Sequence, residues 1–492
     1  MPYIVRGIAS PFLFRNRSKP ANGPMNPIQS GKAERNYSAS CAYIFAARAE
    51  MVYPEYQYHI DNVIKIVKFK REYGSENAMN GVSLLSQMKN KQIFELLNMF
   101  IPILVGIFIF LNPYPHVTAI KEIAFYGSVL LLLTLIFLKK EEFSLRTPLS
   151  IPFLLFVLWS FCGLFFALNK GNSIHDFFAH LIKYLVIFYL LFNFFATKER
   201  LLILIWTIVI STALYSAGMM LYFYLILGKD ISTKLGLYMS ELPSNIIGIS
   251  TWFATLLALF QLTRELALFR KIILTICICA TAIATLATQT RGTILAVIVS
   301  LLLSLPRNKK ILLFFFPFLA LVILVMPVRN MLTPHDLISK IHTYDRVRIW
   351  YCFAEMIKDH PITGIGFGMQ TYDDKDLINK YNERVPASYR QANPRTAPHN
   401  LLVDIAVRTG IIGLISFLYI IFVFSQMGWR IIKYGRDDFI KHWGVCFLAA
   451  FVAVFIQGQF ETTLWGPPVI ILYTILALMT ILWHMNTKKD VI

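Results

Sequence analysis

The chain has 492 residues, of which 56% are hydrophobic and only 15% charged, and its mean hydropathy is +0.57. Soluble domains carry roughly 25% charged residues, so this composition excludes an ordinary soluble domain and indicates a protein embedded in a bilayer. The net charge of +19 does not indicate nucleic-acid binding, because the basic residues are spread among short loops between apolar segments. The six cysteines form no CxxC pair, so neither a disulfide framework nor a zinc site is predicted.

The first 88 residues differ in composition from the rest of the chain. They are polar, with scattered arginine, lysine, serine and asparagine, and they contain no apolar run of membrane length. A signal peptide is not predicted, because there is no continuous hydrophobic region. We expect residues 1–88 to be a disordered extension and the natural start to lie at Met88, where a basic stretch runs into an apolar helix.

After this extension the chain repeats one kind of segment. A membrane helix needs about 20 mostly apolar residues, and the sequence predicts an all-α polytopic membrane protein with about twelve such helices. They are predicted at residues 93–112, 119–138, 150–168, 176–195, 201–227, 243–262, 271–289, 291–305, 311–327, 401–427, 440–459 and 465–484. Residues 89–327 would thus hold helices one to nine, and residues 401–492 would hold helices ten to twelve and a cytoplasmic tail.

The charges of the connecting loops predict the topology. With the N-terminus inside, the inner loops hold nineteen lysines and arginines, whereas the short outer loops hold four, namely Lys170, Lys229, Lys234 and Arg291. Cytoplasmic loops of membrane proteins carry this excess of positive charge. Both termini are therefore predicted to be cytoplasmic.

One connection is long. Residues 328–400 form an outer loop between the predicted helices nine and ten, and long loops are often functional. The stretch "DRVRIWYCFAEMIKDHP" (345–361) predicts a helix that ends at Asp359 and Pro361. Its apolar face is predicted to contain Val347, Trp350, Tyr351, Ala354 and Ile357. The glycine-rich "PITGIGFG" (361–368) lacks the GxGxxG spacing, so a tight turn is a better interpretation than a dinucleotide site.

Three arginines at the outer side are candidate anion ligands. Arg291 stands alone in a tight turn, where it either snorkels to the interface or presents a fixed cation beside a wet pocket. That pocket would be lined by the polar side chains Thr288, Gln289, Thr290 and Thr293. Arg346 and Arg348 open the loop helix and point to different faces. They are either surface residues or ligands for a phosphate, which the guanidinium fork suits.

His399 is the candidate base, because imidazole titrates nearest neutrality and can take a proton from a hydroxyl. We predict that it shares a helical stripe with Ala406, Gly410 and Gly413 and faces the bundle. A purely structural histidine is the alternative. Asp404 and Arg408 form an i, i+4 pair on another face and can satisfy each other.

Three further polar positions carry less weight and are expected to be structural. They are Lys183 beside His180, Lys234 in an outer loop and Glu461 in the turn before the last helix.

Three separated pieces of the chain resemble one family. "TQTRGTILA", "RVRIWYCFAEMIKDHPITGIGFG" and "PHNLLVDIAVRTGIIG" are similar, in order and spacing, to motifs of the O-antigen ligase and polymerase superfamily. The architecture of residues 90–484 also resembles that of O-antigen ligases, whereas the first 88 residues have no counterpart.

The resemblance implies a glycosyl transfer at the periplasmic face of a bacterial inner membrane. The donor would be a polysaccharide on undecaprenyl diphosphate, and the acceptor would be a sugar hydroxyl of lipid A–core or another glycan. No nucleotide, metal or other cofactor is implied. His399 would be the general base, and Arg291 and Arg346 would hold the diphosphate. Arg346 is preferred over Arg348 because the family arginine stands four residues before the tryptophan, here Trp350. Where the family often has another arginine, this chain has Lys234, a weaker candidate for the same role.

Several alternatives remain open at this stage. An O-antigen or capsule polymerase of the same superfamily would use a second lipid-linked glycan as its acceptor. A protein O-oligosaccharyltransferase would usually have a longer C-terminal region. A transporter of lipid-linked glycans would be expected to show internal repeats and charges at the membrane midplane, and neither feature is evident in the sequence.

Overall fold

The computed structural model of the chain describes residues 99–137, 143–231, 233–236, 244–307, 309–314, 316–317, 320, 345–461 and 467–487. All regular structure within these ranges is helical. The predicted extension 1–88 and the first part of the long loop, residues 328–344, lie outside the described residues. Most of the predicted ninth membrane helix lies outside them as well.

The helices of the first half of the chain are α1 (Met99–Leu111), α2 (Thr118–Phe137), α3 (Ser150–Gly163), α4 (Lys170–Phe194), α5 (Lys198–Ile226), α6 (Ser244–Leu262), α7 (Leu268–Ala287) and α8 (Arg291–Ser304). Those of the second half are α9 (Asp345–Asp359), α10 (Lys375–Arg384), α11 (Leu401–Tyr434), α12 (Asp438–Gly458) and α13 (Pro467–Thr487). One π-helical turn interrupts α4, and another ends α5.

Eight of these helices are long and apolar enough to cross a membrane, namely α2, α4, α5, α6, α7, α11, α12 and α13. The helices α1, α3 and α8 are apolar but shorter. These eleven helices coincide with eleven of the twelve predicted segments, so the prediction of an all-α, multi-pass membrane protein is confirmed. The number twelve and the place of the long loop between helices nine and ten stay predictions.

Polar side chains set the starts of several helices. Thr197 accepts a hydrogen bond from the backbone N–H of Arg200 and caps α5, and Asp437 does the same for α12. Asn400 accepts from two backbone N–H groups and caps α11. Such caps satisfy the free N–H groups of a first helical turn, so the sequence fixes where these apolar helices begin.

The helix α6 lies at the centre of the bundle, packed against α5, α7 and α12. Most of its side chains are buried, including Trp252. Hydroxyl pairs join it to α7: Thr251 lies 2.8 Å from Thr285, and Thr255 donates to Thr281 at 2.8 Å. Small hydroxyl residues let membrane helices approach closely and hydrogen-bond to each other, so this contact holds the two helices in register.

The described part of the long loop, residues 345–400, forms a small cap with its own core. The predicted loop helix is observed as α9 and ends at Asp359. Its buried face was predicted only in part: Trp350 and Ile357 pack against the core of the cap, but Tyr351 is exposed and the fully buried side chains are Ile349, Cys352, Phe353 and Met356. These side chains are buried because α9 packs on both α10 and α11.

The glycine-rich segment 361–368 fills a break in α11. Gly410 has φ +70° there, and the N–H of Ile411 donates to the carbonyl of Pro361 at 2.8 Å. A Cβ on Gly410 would lie 1.9 Å from the carbonyl oxygen of Ile362, so only glycine fits. The glycines therefore serve a close backbone contact. The continuous helical stripe predicted for His399 and Gly410 is wrong, because α11 breaks at Gly410 and His399 precedes its cap.

Candidate functional site

His399 and Glu461 form a hydrogen-bonded pair at one end of the bundle. His399 Nδ1 lies 2.9 Å from Glu461 Oε1, and the two side chains are 29% and 17% exposed. An ionised carboxylate only accepts hydrogen bonds, so a neutral His399 would carry its proton on Nδ1 and leave Nε2 as an acceptor. This is the arrangement that a histidine base requires.

Glu461 is itself held by a third segment of the chain. The side-chain amide of Asn245, at the start of α6, donates to Glu461 Oε2. Glu461 was expected to be structural, and sequence reasoning missed its pairing with His399. The only available signal was the topology count, which places both residues at the same side of the membrane.

Arg346 lies on the same side of the site, at the start of α9. Its guanidinium stacks over the ring of Phe460, 5.2 Å from the ring centroid. Burial lowers the pKa of Arg346, the negative charge of Glu461 raises it, and the positive charge of Arg395 lowers it again. The net direction is downward because burial is the largest of these contributions, and the effect of Glu461 is larger than that of Arg395. Sequence reasoning did not single out Arg395.

Arg291 is the first residue of α8 and is exposed. The next residue, Gly292, packs so closely on Phe460 that a Cβ would lie 2.9 Å from that ring. Phe460 thus contacts both the start of α8 and the guanidinium of Arg346, and it directly precedes Glu461 in the chain. A helix N-terminus carries positive partial charge, which adds to the charge of Arg291.

The threonines around Arg291 do not line a wet pocket, contrary to the prediction. Thr288, Thr290 and Thr293 are buried and bonded in a chain, with oxygen distances of 2.9 and 2.8 Å. Thr293 continues this chain to Gln457 of α12 at 3.2 Å. The network holds the turn before α8 against α12, which fixes the position of Arg291.

Lys234 also lies near this turn. The N–H of the next residue, Leu235, donates to the carbonyl of Ala287 at the end of α7, at 2.9 Å. Burial lowers the pKa of Lys234, and so does the positive charge of Arg291. The two cations are therefore close enough to repel each other, and an anion between them would relieve that repulsion.

The other candidates lie elsewhere. Arg348 donates to the carbonyl of Ser388 within the cap, at 3.5 Å, and no contact in the described residues links it to His399. Lys183 pairs with Glu122 inside the bundle, and His180 lies 3.8 Å from Asp176.

Asp404 and Arg408 form the predicted i, i+4 pair, with 3.4 Å between Arg408 Nη1 and Asp404 Oδ2. Both are buried, and Arg408 also donates to the carbonyl of Phe367 and stacks on its ring. Tyr372 donates to Asp404 at 2.9 Å. The charges at the start of α11 are thus covered by the cap.

Two residues beside the site have left-handed backbone conformations that are uncommon outside glycine. They are Gln289, with φ +49°, two residues before Arg291, and His399 itself, with φ +46°. Such strain is often found at functional sites. Trp350 of α9 donates to the carbonyl of Pro398 at 3.1 Å and so supports the strained turn.

The arrangement combines a free imidazole nitrogen, a carboxylate behind it and several cations around it. It can take a proton from a hydroxyl while it holds an anionic group. Within the described residues, no three His, Cys, Asp or Glu side chains cluster as they would around a metal ion.

The fold and site define a multi-pass membrane protein with a cationic histidine–glutamate site at one end of its bundle. Residues 274–418 match the model of the O-antigen ligase family, which confirms the predicted resemblance. The match includes Arg291, Arg346, Arg348 and His399. Lys234 and Glu461 lie outside it.

Two curated proteins are similar to a larger part of the chain. A protein of Rickettsia typhi, provisionally named a polysaccharide ligase, is 23% identical over 337 residues, which cover 63% of this chain and 75% of that protein. A protein of Rickettsia felis with the same provisional name is 24% identical over 339 residues, with the same coverage. The family indicates glycosyl transfer to or from glycans in a membrane environment.

Proposed function

We propose that the protein transfers a polysaccharide from undecaprenyl diphosphate to a sugar hydroxyl of the lipid A–core oligosaccharide. The reaction would take place at the periplasmic face of the bacterial inner membrane, and both termini would be cytoplasmic. The observation that best supports this function is the His399–Glu461 pair beside arginines at the starts of two helices. A base for a hydroxyl and cations for a diphosphate are the two requirements of this transfer.

In this proposal His399 is the general base. Its Nε2 removes the proton from the acceptor hydroxyl, and the hydroxyl oxygen forms a bond to the anomeric carbon of the donor. The bond from that carbon to the diphosphate breaks, and undecaprenyl diphosphate leaves with the electron pair. Glu461 keeps the imidazole in the required tautomer and stabilises the imidazolium that forms.

Arg291 and Arg346 hold the diphosphate, with Lys234 as a third cation. Guanidinium groups donate paired hydrogen bonds to phosphate oxygens, whereas a lysine binds as a point charge. Burial is the largest cause of the lowered pKa of Lys234 and of Arg346, and a diphosphate beside these groups would favour their charged forms. Arg348 is left out of this set, since its guanidinium contacts Ser388.

No nucleotide or metal takes part in the proposed reaction. The lipid diphosphate is already a leaving group, and the charge that develops on it is stabilised by fixed cations of the protein.

The test is transfer by the purified protein from a lipid-linked polysaccharide to lipid A–core. We expect His399→Ala to insert normally and to lose transfer, whereas the exposed His116, changed to alanine, serves as a matched control with normal transfer. Full transfer by the His399 variant would remove the base role.

A polymerase of the same superfamily is distinguished in cells. A strain that lacks the protein should accumulate carrier-linked polymer of normal length and leave its lipid core uncapped. Collapse of that polymer to single repeats would instead assign the protein as a polymerase.

A further inference from the structure

A groove of about 680 Å³ runs along the outer face of α7, away from the histidine site. Its α7 wall includes Lys271, Thr275, Cys279, Ala282 and Leu286, which recur at helical spacing on one face. At 1.5 Å per residue this stripe is about 22 Å long. The groove therefore spans most of the length of a membrane helix.

The walls of the groove are apolar over most of this length. Leu262 of α6 and the segment after α8, with Leu313 and Phe314, form the other sides. Leu313 and Ile283 are 81% and 51% exposed. Side chains of this kind, exposed on a helix long enough to span a membrane, face acyl chains, so the groove suits a hydrocarbon chain.

The end of the groove farthest from Arg291 is cationic. Lys271 and Lys310 lie there, and within the part of the chain that the structure describes neither lysine forms an ion pair. By contrast, the neighbouring Arg264 and Arg307 are both paired with Asp438. Among the described residues that line this end, Lys271 and Lys310 are therefore the cations available to a ligand.

Glu265 is the carboxylate among the described residues of the groove wall, and it does not neutralise these lysines. Glu265 is buried and accepts from the N–H groups of Leu266 and Ala267 at 3.0 and 3.2 Å. It also pairs with Arg270 at 3.2 Å and accepts from Gln261 at 3.4 Å. Its charge is satisfied within its own turn, so the groove end keeps a net positive charge.

We propose that this groove binds an anionic phospholipid. Its phosphate lies between Lys271 and Lys310, and an acyl chain extends along α7 toward Leu286. The lipid is a structural ligand that fills the space between α7 and the segment after α8. The proposal does not depend on the proposed glycosyl transfer, because the binding is measured without turnover.

The groove contains its own probe position. Cys279 lines the groove and is exposed, and Cys162 on α3 is exposed elsewhere. Cys277, Cys352 and Cys446 are buried, so a bimane label reaches Cys279 in the Cys41→Ala, Cys162→Ala chain. The control chain, Cys41→Ala with Cys279→Ala, carries the label at Cys162.

The full-length protein is placed in vesicles that contain brominated phosphatidylglycerol or brominated phosphatidylcholine, and quenching of the label is measured. At Cys279 we expect half-maximal quenching at about a fivefold to thirtyfold lower fraction of the anionic lipid, as for one to two lysines near a bilayer. At Cys162 both lipids should quench equally. The preference at Cys279 should fall as salt rises, because screening weakens it.

The double variant Lys271→Gln, Lys310→Gln should abolish the preference for the anionic lipid at Cys279. The control double variant Arg430→Gln, Lys433→Gln removes two exposed cations of α11 and should leave that preference intact. Equal quenching of wild-type Cys279 by both lipids would show boundary lipid only and overturn the proposal. A preference that survives the double lysine change, or quenching at Cys162 without quenching at Cys279, would overturn it too. If the double variant does not insert, the salt titration of the wild-type chain decides the question.

Discussion

The change Glu461→Gln tests whether the carboxylate behind His399 takes part in the reaction. The substitution keeps the size of the side chain and removes its charge. Glu461 Oε1 lies 2.9 Å from His399 Nδ1, and Asn245 donates to the other oxygen. In the variant, a neutral amide faces both groups, so one of these two contacts loses a good acceptor and the imidazolium loses its counter-charge.

The size of the effect follows from this contact. The pair is only partly exposed, at 29% and 17%, so water replaces the lost interaction poorly. A hydrogen bond to a charged group contributes about 1.5–3 kcal/mol. If that energy is expressed in the transition state, when the imidazole takes up a proton, the rate falls about 10- to 150-fold. The donor KM should stay unchanged or fall, because a negative charge near the diphosphate site is removed.

The assay is transfer at saturating acceptor over a range of donor concentrations, which separates kcat from the donor KM. The matched control is Glu355→Gln, the same chemical change in the cap at a glutamate that pairs with Lys358, and it should transfer at the wild-type rate. A Glu461→Gln rate within threefold of wild type, or a loss seen only in the donor KM, would refute the role of Glu461 as the partner of the base.

Three further substitutions separate the roles of neighbouring groups. Arg346→Ala should raise the donor KM about 10- to 150-fold, which corresponds to the loss of a charge-assisted hydrogen bond. Arg348→Ala should change the donor KM less than about fivefold, the size expected for a weak surface charge interaction. Equal effects of the two variants would contradict the assignment of Arg346 rather than Arg348 to the diphosphate. Gly410→Ala should lower the melting temperature or prevent folding, because its Cβ would lie 1.9 Å from a backbone oxygen and its φ of +70° strains any L side chain by about 1–3 kcal/mol. Gly106→Ala, with open space around it, is the control and should fold normally. Arg408→Met should destabilise the protein by about 3–5 kcal/mol, since a buried carboxylate loses its partner; a melting temperature equal to wild type would show that the carboxylate is protonated.

Hydropathy alone was sufficient to predict the bundle. Membrane helices must satisfy their backbone groups internally, so an apolar run of the right length admits little else. The ninth predicted helix falls largely outside the described residues. The cytoplasmic location of both termini, which was inferred from the loop charges, stays a prediction. The face of α9 could not be predicted in the same way, because Tyr351 and Ile349 are both apolar enough to be buried. Only the positions of α10 and α11 decide between them.

The candidate site was predictable in part. Arg291, Arg346 and His399 stand next to helix starts, and their side-chain chemistry suggests their use. Glu461 was singled out only as a structural residue and not as the partner of His399, because the two are 62 residues apart and their contact depends on the packing of α12 rather than on any local pattern. The placement of His399 on a continuous helical stripe with Gly410 was also predicted wrongly. A helical stripe requires continuous helical backbone, and the positive φ of Gly410 becomes apparent only when the cap segment is seen to pass through the break.

The buried ions at the start of α11 connect the cap to the site. Arg408 donates to the carbonyl of Phe367, and Asp404 accepts from Tyr372, so both charges depend on cap residues for part of their hydrogen bonding. Burial and the charge of Asp404 raise the pKa of Tyr372 well above its ordinary value, which keeps its hydroxyl as the donor. If the cap left α11, these charges would lose partners that a buried ion requires. The start of α11 is also the end that holds His399, and its cap residue Asn400 donates to Gln459 at 3.3 Å, two residues before Glu461. Asn400 therefore joins the start of α11, next to His399, to the end of α12, close to Glu461.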